Sequence, residues 1–347
     1  MSIEIDLSEE SKVHLGTSEK LRKGRDLANS LLHATENAAM AAYDWSGHNN
    51  KEVADGVAVE AMRNYLNLLN INGTVVVGEG IKDKAPMLYL GEKVGTGNGP
   101  EIFIAVDPID GTTATAGDKP GAVSVLAASE KGGILRLPDE LFYVNKLIVG
   151  PQAKGKVDIN APVVQNIKAL ADALGKNIPD LRITVLNRPR NQSLINQIHE
   201  AGARVTLIEY GDLMPGILVA MKGAGTHAVW GVGGAPEAVI TAAGLKCLGG
   251  SIQIKPWTDN EDTASILGSI GFGVDRVFNE TDLVPGKSVI FSSTGITRGD
   301  VTKGITTFVG GIRMHSILLT ATNGVSSIEQ RDLTQVTDTN KIVYTLD

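Results

Sequence analysis

Two short acidic segments, each closing an apolar run, hold the residues of this chain best suited to chemistry. Val75-Val76-Val77 leads into Gly78-Glu79-Gly80, and Val106 leads into Asp107-Pro108-Ile109-Asp110-Gly111-Thr112-Thr113. A tight turn just past a buried strand holds its side chains firmly and turns them toward a shared cleft. Three carboxylates converging with a hydroxyl supply the oxygen ligands that hard divalent cations take. Left bare, such a cluster repels itself and raises its own pKa values. Metal ions remove that penalty, so the pattern points to a metal-dependent enzyme acting on an anionic substrate.

Each motif has a plainer reading beside it. Asp-Gly turns occur widely. Here, though, two acids and a hydroxyl fall within six residues after an apolar strand, and Pro108 and Gly111 fix the backbone so that Asp107 and Asp110 project to one side. Glu79 alone is a weak signal, because a Gly-Glu-Gly turn generally faces solvent. Paired with the second motif, it can bridge a metal and accept a proton from bound water. Glu237, in Gly233-Gly234-Ala235-Pro236-Glu237, satisfies a helix dipole from the first turn. The neighbouring Gly231-Val232-Gly233-Gly234 lacks G-x-G-x-x-G spacing, with Pro236 and Glu237 where the last glycine would fall, which argues against a nucleotide cofactor. Arg188-Pro189-Arg190 follows a strand at 183–186 and suits either a solvated surface pair or two guanidiniums clamping a phosphate. The six histidines show no zinc-type spacing. The single cysteine, Cys247, sits in an apolar stretch and reads as a core residue.

The elements that must position these residues come from a chain of 347 residues, 42% hydrophobic and with 40 glycines, large enough for two domains. A formal charge of −7 argues against nonspecific nucleic acid or an anionic membrane as partner. No signal peptide or run of about 20 apolar residues is present, so a cytoplasmic location is predicted. Residues 1–25 are polar and aperiodic, predicting an arm that is partly disordered or docked on a neighbouring subunit. Leu27, Leu31, Ala34, Ala38, Ala41 and Trp45 recur at helical spacing, and a second helix is predicted with Val57, Ala61, Tyr65 and Leu69 on one stripe. Asp55 falls in its first turn, off that stripe. Strands are predicted at 74–77, 102–106, 122–127 and 141–149, with a helix at 162–174. From residue 182 the rhythm becomes strand–helix–strand: 182–186, 193–201, 205–208, a helix after Gly211-Asp212, 226–231, then a helix to about 248. That change places a domain boundary at 182/183, giving an arm (1–25), a metal-binding α/β domain (26–182) and a second α/β domain (183–347). The last strands, from about 289, are able to pair back onto either sheet, including the first domain's.

At these residues the chain resembles the class II fructose-1,6-bisphosphatases of the lithium-sensitive, metal-dependent sugar phosphatase superfamily, over roughly residues 26–311. The resemblance is carried by Ala54-Asp55-Gly56, Gly78-Glu79-Gly80 with Ala85-Pro86-Met87-Leu88-Tyr89, Asp107 to Thr112, Phe142-Tyr143, Arg188-Pro189-Arg190, Gly211-Asp212 and Gly233 to Glu237. It implies a layered α/β fold, an αβαβα sandwich of two domains like the fructose bisphosphatases and inositol monophosphatases, with the site between them. By matching motif, Asp55, Glu79, Asp107, Asp110 and Glu237 would bind Mg²⁺ or Mn²⁺. Glu79 and Thr112 would deprotonate and orient the attacking water, with Lys51 and Asp83 close to the catalytic centre. Asp110, Gly111, Thr112, Tyr143, Arg188, Pro189, Arg190, Gly211, Asp212 and Gly234 would contact the sugar bisphosphate.

The chain departs from the family pattern at Asp110, where many members have Glu, and at Ile81, Asn187 and Tyr210, each replacing an acid. The implied activity is removal of the 1-phosphate of fructose 1,6-bisphosphate in gluconeogenesis or a related carbon cycle, by a homo-oligomer (dimer or tetramer). Rival readings are a phosphatase for sedoheptulose 1,7-bisphosphate or an inositol phosphate, and a catalytically silent sugar-phosphate sensor. The intact Glu79 and Thr112 argue against the sensor.

Overall fold

The computed structural model describes residues 9–79 and 87–336. Helices α1 (Glu9–Tyr43) and α2 (Lys51–Leu68) open the chain. They lead into β1 (Asn72–Val77), the two-residue β2 (Lys93–Val94), β3 (Glu101–Asp110), the short α3 (Thr112–Ala116) and β4 (Val123–Glu130). A second sheet begins with β5 (Tyr143–Val149) and continues through α4 (Val163–Leu174), β6 (Arg182–Leu186), α5 (Gln192–Glu200) and β7 (Arg204–Ile208). Next come α6 (Leu213–Leu218), β8 (Ala228–Gly234), α7 (Ala235–Leu248) and β9 (Ser251–Trp257). After α8 (Glu261–Ser269), β10 (Phe278–Asn279) and α9 (Glu280–Leu283), the chain finishes with β11 (Ser288–Gly295), β12 (Thr306–Phe308), β13 (Gly311–Thr322) and β14 (Val325–Val336).

Among the described residues the strands form two mixed sheets. The first runs β12-β13-β11-β4-β3-β1-β2, with β14 paired on β13, and the second runs β10-β9-β5-β8-β6-β7. The strands after residue 289 therefore pair back onto the first sheet. The change of sheet falls between Glu130 and Tyr143, ahead of the rhythm change near 182, because β5 and α4 already pack with the second sheet.

Period-two alternation divides the interior into layers. Ile102, Ile104 and Val106 of β3, with Leu126 and Ala128 of β4, pack against α1 and α2. Their neighbours Ala105, Val125 and Ala127 face the other way, onto α7. Across α7, Val144 and Ile148 of β5 close the central core, while Leu147 and Val149 face α4 and α5. The order is helix pair, sheet, helix, sheet, helix pair: an αβαβα sandwich. Helix α7 is apolar nearly all round, as a helix enclosed by two sheets must be, and its Ala235, Ala238, Ala242, Ala243 and Gly244 allow close approach. A Cβ on Gly244 would lie 2.4 Å from the Ile217 side chain.

Two predicted helices differ in detail. Helix α1 starts at Glu9, so residues 9–25, read as an aperiodic arm, continue the first helix. In α2 the buried stripe is Ala54, Ala58, Met62 and Leu66, one position round from the predicted 57/61/65/69. The predicted set mixes small and half-buried residues that border the stripe. Full burial of Met62 and Leu66 outweighs them at about 1.5–3 kcal/mol each. Asn50 caps α2, its side chain accepting the Val53 N–H at 3.2 Å. No periodicity assigns the stretch from Ser251 to Leu283, which carries β9, α8, β10 and α9.

Candidate metal and phosphate site

The acids predicted on turns are held by the strand ends themselves. Glu79 follows β1, its N–H donating to the Leu88 carbonyl at 3.0 Å. Gly78 makes that approach possible, since a Cβ there would lie 2.2 Å from the same oxygen. Asp107 and Asp110 are not on a turn: β3 continues to Asp110. Its partners show how the two acids share a side. Asp107 lies opposite Val125 and Asp110 opposite Val123, three steps on β3 against two on β4. In a regular strand residues three apart point to opposite faces. The extra residue of this bulge, at Pro108-Ile109, returns Asp110 to the side of Asp107. The Ile109 N–H donates to Asp107 Oδ1 at 3.1 Å and locks the bend. Gly111 follows with φ +96°, a left-handed cap to α3, and the Thr112 hydroxyl donates to the Ile109 carbonyl at 3.3 Å.

Electrostatics tie these residues together. Burial, then the Asp55 and Glu237 charges, push Glu79 up to about 7. Asp107 is raised well above the usual carboxylate range by burial, then by Asp110, Glu237, Glu79 and Asp55. Asp110 is raised by burial, Glu237 and Asp212, against a lowering from Lys146. Glu237 and Asp55 are raised chiefly by burial. The five predicted ligands thus form one mutually repelling set, although Glu79 is half-buried rather than solvent-facing.

Glycines make room for the carboxylates. A Cβ on Gly211 would lie 3.0 Å from Asp110 Oδ2, and one on Gly234 would lie 1.9 Å from Glu237 Oε2. Among the described residues, no three His, Cys, Asp or Glu side chains close on a point tightly enough to enclose a cation as placed. The donors nevertheless fit a hard cation. All are carboxylate oxygens, and Asp110 Oδ2 and Glu237 Oε2 are buried without a hydrogen-bond partner.

Tyr143, paired across the sheet with Gly234, and Arg190 line a cavity of about 720 Å³ together with Glu140, Pro189, Trp257 and Asp259, and none of the five acids lines it. The Arg190 guanidinium lies 4.4 Å over the Tyr143 ring and its Nε donates to the Val232 carbonyl at 3.3 Å. Arg188 is placed differently. Its guanidinium donates to the Asn187 and Glu209 carbonyls, each at 2.7 Å, and it does not line that cavity. Lys51 stands exposed at the first position of α2, one turn before the half-buried Asp55. Asp83 lies outside the described residues. Tyr210 accepts a hydrogen bond from Lys119 at 3.1 Å. Cys247 is buried, with its thiol pushed up to about 12, so it is inert. The residue that motif reading missed is Lys146, buried and bonded to Asp212. Its signal was a lysine inside the apolar strand Tyr143-Val144-Asn145-Lys146-Leu147-Ile148-Val149.

Fold and site together define a class: a layered α/β enzyme whose buried carboxylates suit divalent cations. The chain belongs to the family described as bacterial fructose-1,6-bisphosphatase, glpX-encoded, whose model matches residues 25–331. It is 43% identical over 294 residues to fructose-1,6-bisphosphatase 1 class 2 of Escherichia coli strain K12, covering 81% of this chain and 87% of that protein. The same figures hold for the class 2 fructose-1,6-bisphosphatase of Shigella flexneri. Among solved structures, an extragenic suppressor from Pyrococcus furiosus aligns at 15% identity with a TM-score of 0.29, over 57% of this chain and 70% of that one. The family is one of metal-dependent phosphatases. Among the described residues no helix is long and apolar enough to cross a membrane.

Proposed function

We propose that this chain hydrolyses the 1-phosphate of fructose 1,6-bisphosphate to fructose 6-phosphate and phosphate, using Mg²⁺ or Mn²⁺, as a cytoplasmic homo-oligomer in gluconeogenesis or a related carbon cycle. The observation that carries it is the set of five mutually repelling acids with two unpartnered buried oxygens, with Arg190 bonded to Val232 of β8, the strand that leads into Glu237. Bound Mg²⁺ or Mn²⁺ supplies Lewis-acid polarisation of the phosphoryl group and offsets the charge of the carboxylates.

The rest is done by side chains of this chain. Asp55, Glu79, Asp107, Asp110 and Glu237 would hold the cations. Glu79, whose affinity for a proton is raised, takes the proton of the attacking water, while the Thr112 hydroxyl orients that water. Water oxygen bonds to phosphorus in line as the bond to the sugar oxygen breaks; the departing alkoxide takes a proton from solvent water, and Glu79 gives its proton back to solvent. Arg190, braced on Tyr143, holds the distal phosphate. Arg188 stiffens the β6–β7 end of the wall through the Glu209 carbonyl, and Gly211-Asp212 and Gly234 border the sugar. By the family resemblance, Lys51 and Asp83 would assist catalysis.

The test is phosphate release from fructose 1,6-bisphosphate, sedoheptulose 1,7-bisphosphate and an inositol monophosphate, with each metal and with chelator. The expected result is a kcat/KM for fructose 1,6-bisphosphate at least roughly tenfold above the inositol phosphate, abolished by chelator and restored by metal. Preference for the inositol phosphate would reject the substrate assignment.

A further inference from the structure

Lys146 has no part in that mechanism, yet among the described residues it heads the largest fully buried side chains by volume. On β5 it shares the inter-sheet face with Val144 and Ile148. Its ammonium donates to Asp212 Oδ1 at 2.8 Å, lies 2.8 Å from Asp212 Oδ2, and donates to the Gly234 carbonyl at 3.2 Å. Two successive glycines of β8 carry two different carboxylates. A Cβ on Gly233 would lie 2.2 Å from Asp212 Oδ2 and 2.9 Å from Lys146 Nζ, while one on Gly234 would meet Glu237 Oε2.

What separates these neighbouring acids is the lysine. Asp212 has both oxygens against an ammonium, so its charge is matched and its lone pairs are engaged. Glu237 Oε2 and Asp110 Oδ2 have no partner at all. With no lysine, Asp212 would be one more unmatched carboxylate facing the same space. The Gly234 carbonyl opens α7, so the same ammonium also steadies the turn that presents Glu237.

We propose that Lys146 is a positioning residue that sorts the acids of this site: it withholds Asp212 from the cation and presents it to the sugar, leaving Asp110 and Glu237 for the cation. The inference rests on the metal-assisted phosphatase reading. The test is titration with Mn²⁺ alone, by calorimetry and thermal melting at pH 8. The proteins compared are wild type, Lys146→Met, and the double variant Lys146→Met with Asp212→Asn. Releasing Asp212 adds a negative charge to the cluster, so Lys146→Met should bind Mn²⁺ more than about threefold tighter and gain more in Tm from it. The double variant removes the released charge, and its Mn²⁺ affinity should return to within about fivefold of wild type.

An affinity in Lys146→Met that is unchanged or weaker, or a larger than fivefold loss in the double variant, overturns the proposal. A lysine that only fills space would lower Tm equally with and without Mn²⁺ and leave the affinity unmoved. Should Lys146→Met not fold even with Mn²⁺, the double variant decides by the same fivefold limit. Wild-type protein that binds no Mn²⁺ would sink the metal reading itself, a result distinguishable from any failure of Lys146.

Discussion

In the proposed mechanism Glu79 and Arg190 serve separable parts of the reaction, one at the reacting phosphate and one at the distal phosphate. Glu79 is fixed through its backbone to Leu88 and surrounded by like charge, so its carboxylate takes up a proton far more readily than a solvated one. Glu79→Gln keeps the shape and removes the base, and kcat should fall ~10²-fold or more, measured as phosphate release at saturating metal and substrate. A variant retaining a third of wild-type turnover would remove Glu79 from that role. On the proposed reading Arg190 touches only the far end of a bisphosphate. Arg190→Ala deletes a charge-assisted partner worth about 1.5–3 kcal/mol, which is a rise of roughly ten- to a hundredfold in KM for fructose 1,6-bisphosphate. Turnover of a simple monophosphate ester, lacking a distal group, should stay level. Equal loss on both substrates would place Arg190 at the reacting phosphate instead. The acids themselves were legible as residue types closing apolar runs. Lys146 stood out only as a lysine inside an apolar strand; its partner Asp212 lies 66 residues away in sequence, and no local pattern reports a pairing that distant.

At the scale of elements, the strand end at Asp107 to Asp110 and the β8–α7 junction decide where the oxygens fall. Strand, helix and order were readable from period and punctuation, since Gly, Pro and acidic first turns mark the ends of β3 and the start of α7. The β3 bulge was not readable: it is defined by the register against β4, a relation between two strands. The stripe of α2 was misplaced for a similar reason, because which apolar residues are buried depends on α1 and the sheet above it. The long β14 escaped the sequence reading as well. Val325 and Ile328 are exposed on it and only Leu333 packs partly against the core among its described residues, so it lacks an alternating apolar face to read. The β8–α7 junction supports a direct test. Gly234 has φ −65° and ψ 142°, a backbone any residue adopts, so Gly234→Ala should fold with a Tm within a few degrees of wild type. Its new methyl would fall where Glu237 Oε2 lies, and Glu237 must move. A displacement near 1 Å in a catalytic group costs ~10²-fold, so kcat/KM should drop by about that factor. Gly225→Ala, exposed and with nothing within 4 Å of the new methyl, is the control and should leave activity unchanged. Normal turnover in Gly234→Ala would mean that Glu237 does not work from its observed position.

For the whole molecule, the site is a destabilising element that the two-sheet core must carry. The acids come from α2, the turn after β1, β3 and α7, so the repulsion among them acts across the helix pair, the first sheet and the central helix at once. The sign of the pH dependence follows from the raised values. Glu79 titrates near 4.5 when unfolded and about 7 in the folded, metal-free chain, so between those limits the folded state binds more protons. Its share of stability is therefore intact below about 4.5 and lost as pH rises through about 7. A shift of that size corresponds to ~3 kcal/mol, or roughly 5 °C or more in Tm. His227 and His315 act in the opposite sense, their values being lowered chiefly by burial, so a bare pH scan of the wild-type protein mixes the two trends. Comparison with Glu79→Gln isolates the acid, because both proteins share those histidines. In chelator, the variant's Tm should nearly match wild type at pH 4.5 and exceed it by several degrees at pH 8. Saturating Mn²⁺ should reverse the order at pH 8, since cation binding to the native carboxylates stabilises wild type by mass action and the variant, one carboxylate short, forfeits part of that affinity. A Tm difference that stays constant from pH 4.5 to 8 in chelator would show that Glu79 is not held under charge repulsion in the folded chain.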